Sequence, residues 1–238
     1  MPSGVALGRR NWAVPHFGPS EDPLTGLLIN AAWGSPVRDI NGAPPVNSIT
    51  NYPGHDPSGG VVGNATQRTP QRFPSFTTMA ANRPLTLFAV IRLSGTSEKG
   101  YVVGVCDSAG NDTGFGIGVG NTALDSTGNN ICGVRGGINW TQSGSAIGTG
   151  LHSIALTTDG SSNVQWFLDG VRVSTGGTGA SWNLTNGVAQ LMMLSHSSGT
   201  TNAITAGVVV HFGAAWGRIL SSADIGKMHE DPFVIVRG

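Results

Sequence analysis

The sequence predicts an all-β fold, a two-sheet antiparallel sandwich or jelly roll with one short C-terminal helix. Three observations predict it. Glycine supplies 37 of 238 residues, roughly twice its usual share of about 7%, and so punctuates the chain densely with turns. Apolar runs rich in Val, Ile, Phe and Trp recur between those turns and are too short for typical helices. Asp159-Gly160 and Asp169-Gly170 each separate two such runs. Asp-Gly there is the strongest short-range hairpin signal, because a type I′ turn needs positive φ at both central residues. A length of 238 residues fits one domain of this class, since sandwiches run to about 200–250 residues as a single unit.

The elements follow in order. Residues 1–24 carry Pro2, Pro15, Pro19 and Pro23 with no apolar period, which reads as an extended arm before a domain over 25–238. The Pro- and Gly-rich stretch 34–81 is too long for a structureless loop in a compact domain, so short strands are expected at Val61-Val62 and over 73–76. From Pro84 the punctuation becomes regular. Strands are expected over 85–93, 100–106, 114–120 and 130–135, the second and third joined by a turn at 107–113. Residues 151–157, 164–168 and 171–173 form a three-stranded meander through the two Asp-Gly pairs. Two further runs, 188–194 and 206–216, complete about ten strands. Ser221-Ser222-Ala223-Asp224 has the form of a capping box with Asp in place of Glu, Leu220, Ile225 and Met228 have helical spacing, and Pro232 stops the helix.

Charge narrows the functional classes. Lys and Arg number 13, Asp and Glu 13, and only 11% of residues are charged, against about 25% in an ordinary domain. Nucleic acid demands a cationic surplus to displace counterions, and anionic membrane surfaces demand the same; neither is expected as a partner. No apolar run reaches the 18 or more residues of a membrane span, so membrane insertion is not expected. The opening segment lacks the apolar region of a secretory signal, so synthesis in a cytoplasm is expected. There Cys106 and Cys132 are expected as free thiols. A neutral, sparsely charged surface favours self-association, although a monomer kept soluble by hydroxyls and amides stays open. Residues 114–120, GFGIGVG, alternate strictly, with Phe115, Ile117 and Val119 on one face and bare glycine on the other. Such a face admits close packing by a loop or subunit, or a ligand.

Three segments in order, HSIALTTDG at 152–160, WFLDG at 166–170 and AWGRILS at 215–221, resemble the laminin G-like, concanavalin A-like lectin/glucanase superfamily over roughly 84–233. The resemblance implies a lectin-like jelly roll for 25–238 but no single activity, since one fold serves many functions. The closing segment 216–225, followed by Asp231-Pro232-Phe233, resembles the ending of lectin-like proteins encoded by tailed bacteriophages. That likeness, with the arm and the neutral surface, implies a non-enzymatic structural protein of a virion. Capsid decoration or a head or tail accessory is the leading expectation, with other virion proteins, further copies and host surface glycans as partners. The virion is then the expected location, after synthesis in the host cytoplasm. A carbohydrate-binding module is the alternative and a glycoside hydrolase the third reading.

The residues offer hydrolysis little. A retaining glycosidase needs two carboxylates a few ångströms apart, whereas Glu21, Glu98 and Glu230 are isolated in sequence and Asp159 and Asp169 fall at hairpin turns. No GxSxG elbow, Walker loop, GxGxxG or HExxH occurs, and the six histidines are scattered singly. No catalytic residue, cofactor or metal ligand is therefore expected. His152 is expected to pack or hydrogen-bond rather than catalyse. The turn 107–113 offers Asp107, Asn111 and Asp112 to a calcium ion, which wants six to eight oxygens, so an ordinary turn is favoured there. Trp140 and Trp182 lie in polar stretches and are the candidates for stacking on a sugar or meeting another chain. Trp33, Trp166 and Trp216 fall in strand-like runs and are expected in the core.

Overall fold

A computed structural model describes residues 25–28, 38–39, 56, 60–63, 71–72, 77–78, 83–107, 114–120, 128–135, 138–140, 145–161, 163–175, 188–193 and 204–231. In chain order they form β1 (Thr25–Leu28), β2 (Arg38–Asp39), β3 (Val61–Val62), β4 (Gln71–Arg72), β5 (Thr77–Thr78), β6 (Leu85–Leu93), β7 (Gly100–Asp107), β8 (Phe115–Gly120), β9 (Asn130–Arg135) and β10 (Ile138–Trp140). There follow β11 (Gly150–Thr158), β12 (Val164–Leu168), β13 (Val171–Thr175), β14 (Val188–Met193), β15 (Val208–Trp216) and α1 (Ser222–Glu230). One sheet runs β13-β12-β11-β6-β15-β1-β2 with β3 also on β15; the other runs β10-β9-β8-β7-β14-β4 with β5 also on β14. The pairings are antiparallel. The all-β sandwich with one short terminal helix is thus the fold; the expected meander is present as β11-β12-β13, and β7-β8-β9 form a second.

Its centre is β6, whose nearly continuous apolar run suits a strand buried on both faces. Leu85, Leu87, Ala89, Ile91 and Leu93 point between the sheets, where they meet Val103 and Val105 of β7, Phe115, Ile117 and Val119 of β8, and Trp166 of β12. The alternate residues Phe88 and Val90 join Phe212, Ala214 and Trp216 of β15 on the outer face of the same sheet, under Leu220, Ile225 and Met228 of the helical segment. Trp166 and Trp216 are both core residues, each 1% exposed; Trp33 lies outside the described residues. Burying a side chain of this size contributes about 1.5–3 kcal/mol.

Helix α1 begins as expected. The Ser221 hydroxyl accepts the Asp224 N–H at 3.1 Å, and Asp224 accepts the Ser221 N–H at 3.2 Å. Hydrogen bonding from the Ser221 side chain is the main cause that holds the Asp224 carboxyl below the usual carboxylate range. Thr86, buried on β6, fastens the approach to the helix by donating to the Arg218 carbonyl at 2.7 Å and accepting the Leu220 N–H at 3.0 Å.

One turn differs from its expectation. The Asp159-Gly160 pair does not form a two-residue turn: Thr158 pairs with Val164, so the connection is longer. The Asp159 carboxylate organises it by accepting the N–H groups of Ser161 and Asn163 at 2.8 and 3.1 Å. Asp159 thus serves as a side-chain acceptor, which Asp does as readily as it adopts left-handed φ. Pairing is seen at β4 and β5, and the strand expected over 73–76 lies outside the described residues.

Three strands carry register shifts, in β7 between Tyr101 and Val103, in β15 between Val210 and Phe212, and in β13 opposite Trp166 and Phe167. The first has a visible consequence. Val102 and Val103 both enter the core, and alternation restarts with Val105 inside and Gly104 outside. A bulge of this kind re-aims every later side chain of its strand. Among the described residues the strand β13, at one end of its sheet, is bulged. A bulged edge resists pairing with other strands.

Candidate functional site

The polar cluster richest in chemistry gathers around the Asp169-Gly170 turn. Asp169 has φ 50° and Gly170 φ 77°, the left-handed pair that a type I′ hairpin needs. The Asp169 carboxylate accepts the Ser153 N–H through Oδ1 at 3.0 Å, and its Oδ2 lies 2.9 Å from His152 Nδ1. The Asp169 N–H in turn donates to the Ser153 carbonyl at 2.9 Å. From α1, His229 places Nδ1 3.1 Å from Ser153 Oγ and 4.0 Å from Asp169 Oδ1.

Serine, histidine and aspartate therefore meet here, from β11, α1 and the turn. A hydrolytic triad needs the serine on one imidazole nitrogen and the carboxylate on the other, so that the acid orients the base. Here Ser153 Oγ and the Asp169 carboxylate approach the same nitrogen, Nδ1 of His229. Ser153 is also only 4% exposed. The cluster is a clasp, with Asp169 tying the turn to β11 and His229 tying α1 to both. Gly170 completes it, because a Cβ there would stand 3.0 Å from His229 Cβ and 3.1 Å from Gly226 Cα. Ser153 and His229 lie 76 residues apart, and no local sequence signal links them. The reading of His152 as a hydrogen-bonding residue agrees with its contact to Asp169.

Glu98 has a comparable structural setting. Its carboxylate accepts Ser94 Oγ–H at 3.0 Å and the Thr205 hydroxyl, and it lies directly over Gly207, where a Cβ would come within 1.8 Å of Oε1. It binds the β6-β7 connection to the approach of β15. Glu230 is exposed on the last turn of α1, and Glu21 lies outside the described residues. Among the described residues no group of three His, Cys, Asp or Glu side chains is placed to hold a metal ion. Of the turn at 107–113, only Asp107, the last residue of β7, is described. No helix among the described residues is long and apolar enough to cross a membrane.

The bare glycine face is filled by the chain itself. Added Cβ atoms at Gly116 and Gly104 would lie 2.1 Å and 1.9 Å from the Tyr101 side chain. Tyr101 stands opposite Gly118 on the neighbouring strand. Its ring thus lies across the glycines of β7 and β8 and forms a small outer cluster with Cys132 and Met192, all fully buried. The expectation of close packing holds, but the packing partner is an aromatic side chain of the same sheet. Cys132 is a free thiol, and burial pushes its pKa up to about 12.

Trp140 ends β10, where it stands in register with Gly133, and its side chain lies outside the described residues. Trp182 lies outside them as well. The strands flanking it finish at Thr175 and begin at Val188.

No protein-family model and no curated protein matches the chain. Solved structures do resemble it. The binding domain of botulinum neurotoxin serotype G superimposes with a TM-score of 0.58 at 14% identity, covering 88% of this chain and 51% of that one. The binding domain of Paraclostridial Mosquitocidal Protein 1 gives 0.57 at 11% identity, covering 90% and 53%. Trypanosoma rangeli sialidase gives 0.53 at 14% identity, covering 88% and 33%. The chain therefore spans between a third and about half of these proteins. At such identities the likeness establishes a β-sandwich fold and no activity.

Proposed function

We propose that the chain is a non-enzymatic binding module, and more specifically a structural protein of a bacteriophage virion, with capsid decoration or a head or tail accessory as its role. One observation carries the non-enzymatic reading: the described serine, histidine and aspartate that meet in space do so on a single imidazole nitrogen, as a clasp. Two structural neighbours are themselves binding domains, which supports attachment as the general task. The sparse, balanced charge and the bacteriophage-like closing segment 216–233 support the virion assignment. In this reading residues 1–24 form the attachment arm, one face of the sandwich meets the particle, and Trp140 and Trp182 are the contacts offered to a partner chain or glycan.

The competing reading is a carbohydrate-binding module, favoured by the sialidase neighbour in complex with sialic acid. Purified protein tested on a glycan array and in co-sedimentation with phage particles separates the two. Saturable particle binding with a silent array supports the virion component, and the reverse outcome supports the glycan module. Release of free sugar from a glycan substrate would overturn both.

A further inference from the structure

We draw no further inference here: the strongest candidate, the sheet-edge strand β13 with its exposed Val171 beside the Asp169-Gly170 turn, is an unpartnered apolar edge, and nothing in the structure shows what covers it.

Discussion

Single residues in this sandwich act chiefly as fasteners. Replacing Asp169 by Ala removes the acceptor of the Ser153 N–H and the partner of His152. The expected loss is about 1–2 kcal/mol, toward the lower end because the carboxylate is partly exposed to solvent; chemical denaturation of wild type and variant measures it. If Asp169 were instead part of a working site, the variant would lose activity without losing stability. The cysteines test the register. Cys132 pairs with Gly118, which pairs with Tyr101, so Cys132 is level with the start of β7 whereas Cys106 is near its end. Two strand spacings and about five residues of rise at roughly 3.3 Å put them well beyond the 7 Å Cα limit of a disulfide. Thiol titration of unreduced protein should find two groups after denaturation. In the native state Cys132 should stay silent, since its pKa of about 12 leaves almost no thiolate at neutral pH. A count of zero in denaturant would contradict the β7-β8-β9 meander.

At the scale of elements, the glycine strip and the helix cap carry separate predictions. Gly116→Ala would force a Cβ to within 2.1 Å of the Tyr101 ring, and overpacking of this kind costs about 1–3 kcal/mol. Because one clash causes the loss, Gly116→Ala combined with Tyr101→Ala should cost less than the sum of the two single changes. A double-mutant cycle reads this directly, and simple additivity would show that the ring does not occupy the strip. At α1, the folded Asp224 carboxyl has a lowered pKa. Its contribution is therefore present above the ordinary carboxylate range and is lost as pH falls through the folded value. Ser221→Ala should cost about 1 kcal/mol near neutrality, and the gap between wild type and Asp224→Asn should narrow as pH falls below about 4. Melting curves across that range provide the check. The cap was legible because its signals lie within four residues. So was the Asp169-Gly170 hairpin. The Val102 bulge was not, because two consecutive valines, Val102-Val103, give no sign that one of them is extra. The Tyr101 packing was hidden for a related reason: the strip announced an empty face, and its occupant follows only once the bulge sets the register.

For the whole molecule, regular strands with alternating or continuous apolar runs made the sandwich legible from 85 onward, and the resemblance carried by three separated segments pointed to the same fold. The Ser153–His229 contact was not legible, because it depends on how the last helix docks across a sheet assembled from distant strands. The proposed arm gives a prediction at this scale. Deleting residues 2–20 should leave the melting midpoint nearly unchanged while weakening attachment to particles, because an arm ordered only by a partner adds little to the free domain. A large fall in melting temperature with attachment intact would contradict that division of labour. Imaging the protein in its native context tests the proposed role, a binding part of a virion, most directly. Immunogold electron microscopy of lysates from producing cells should place the label on the surface of phage particles. Label confined to cell envelopes, with particles bare, would contradict it.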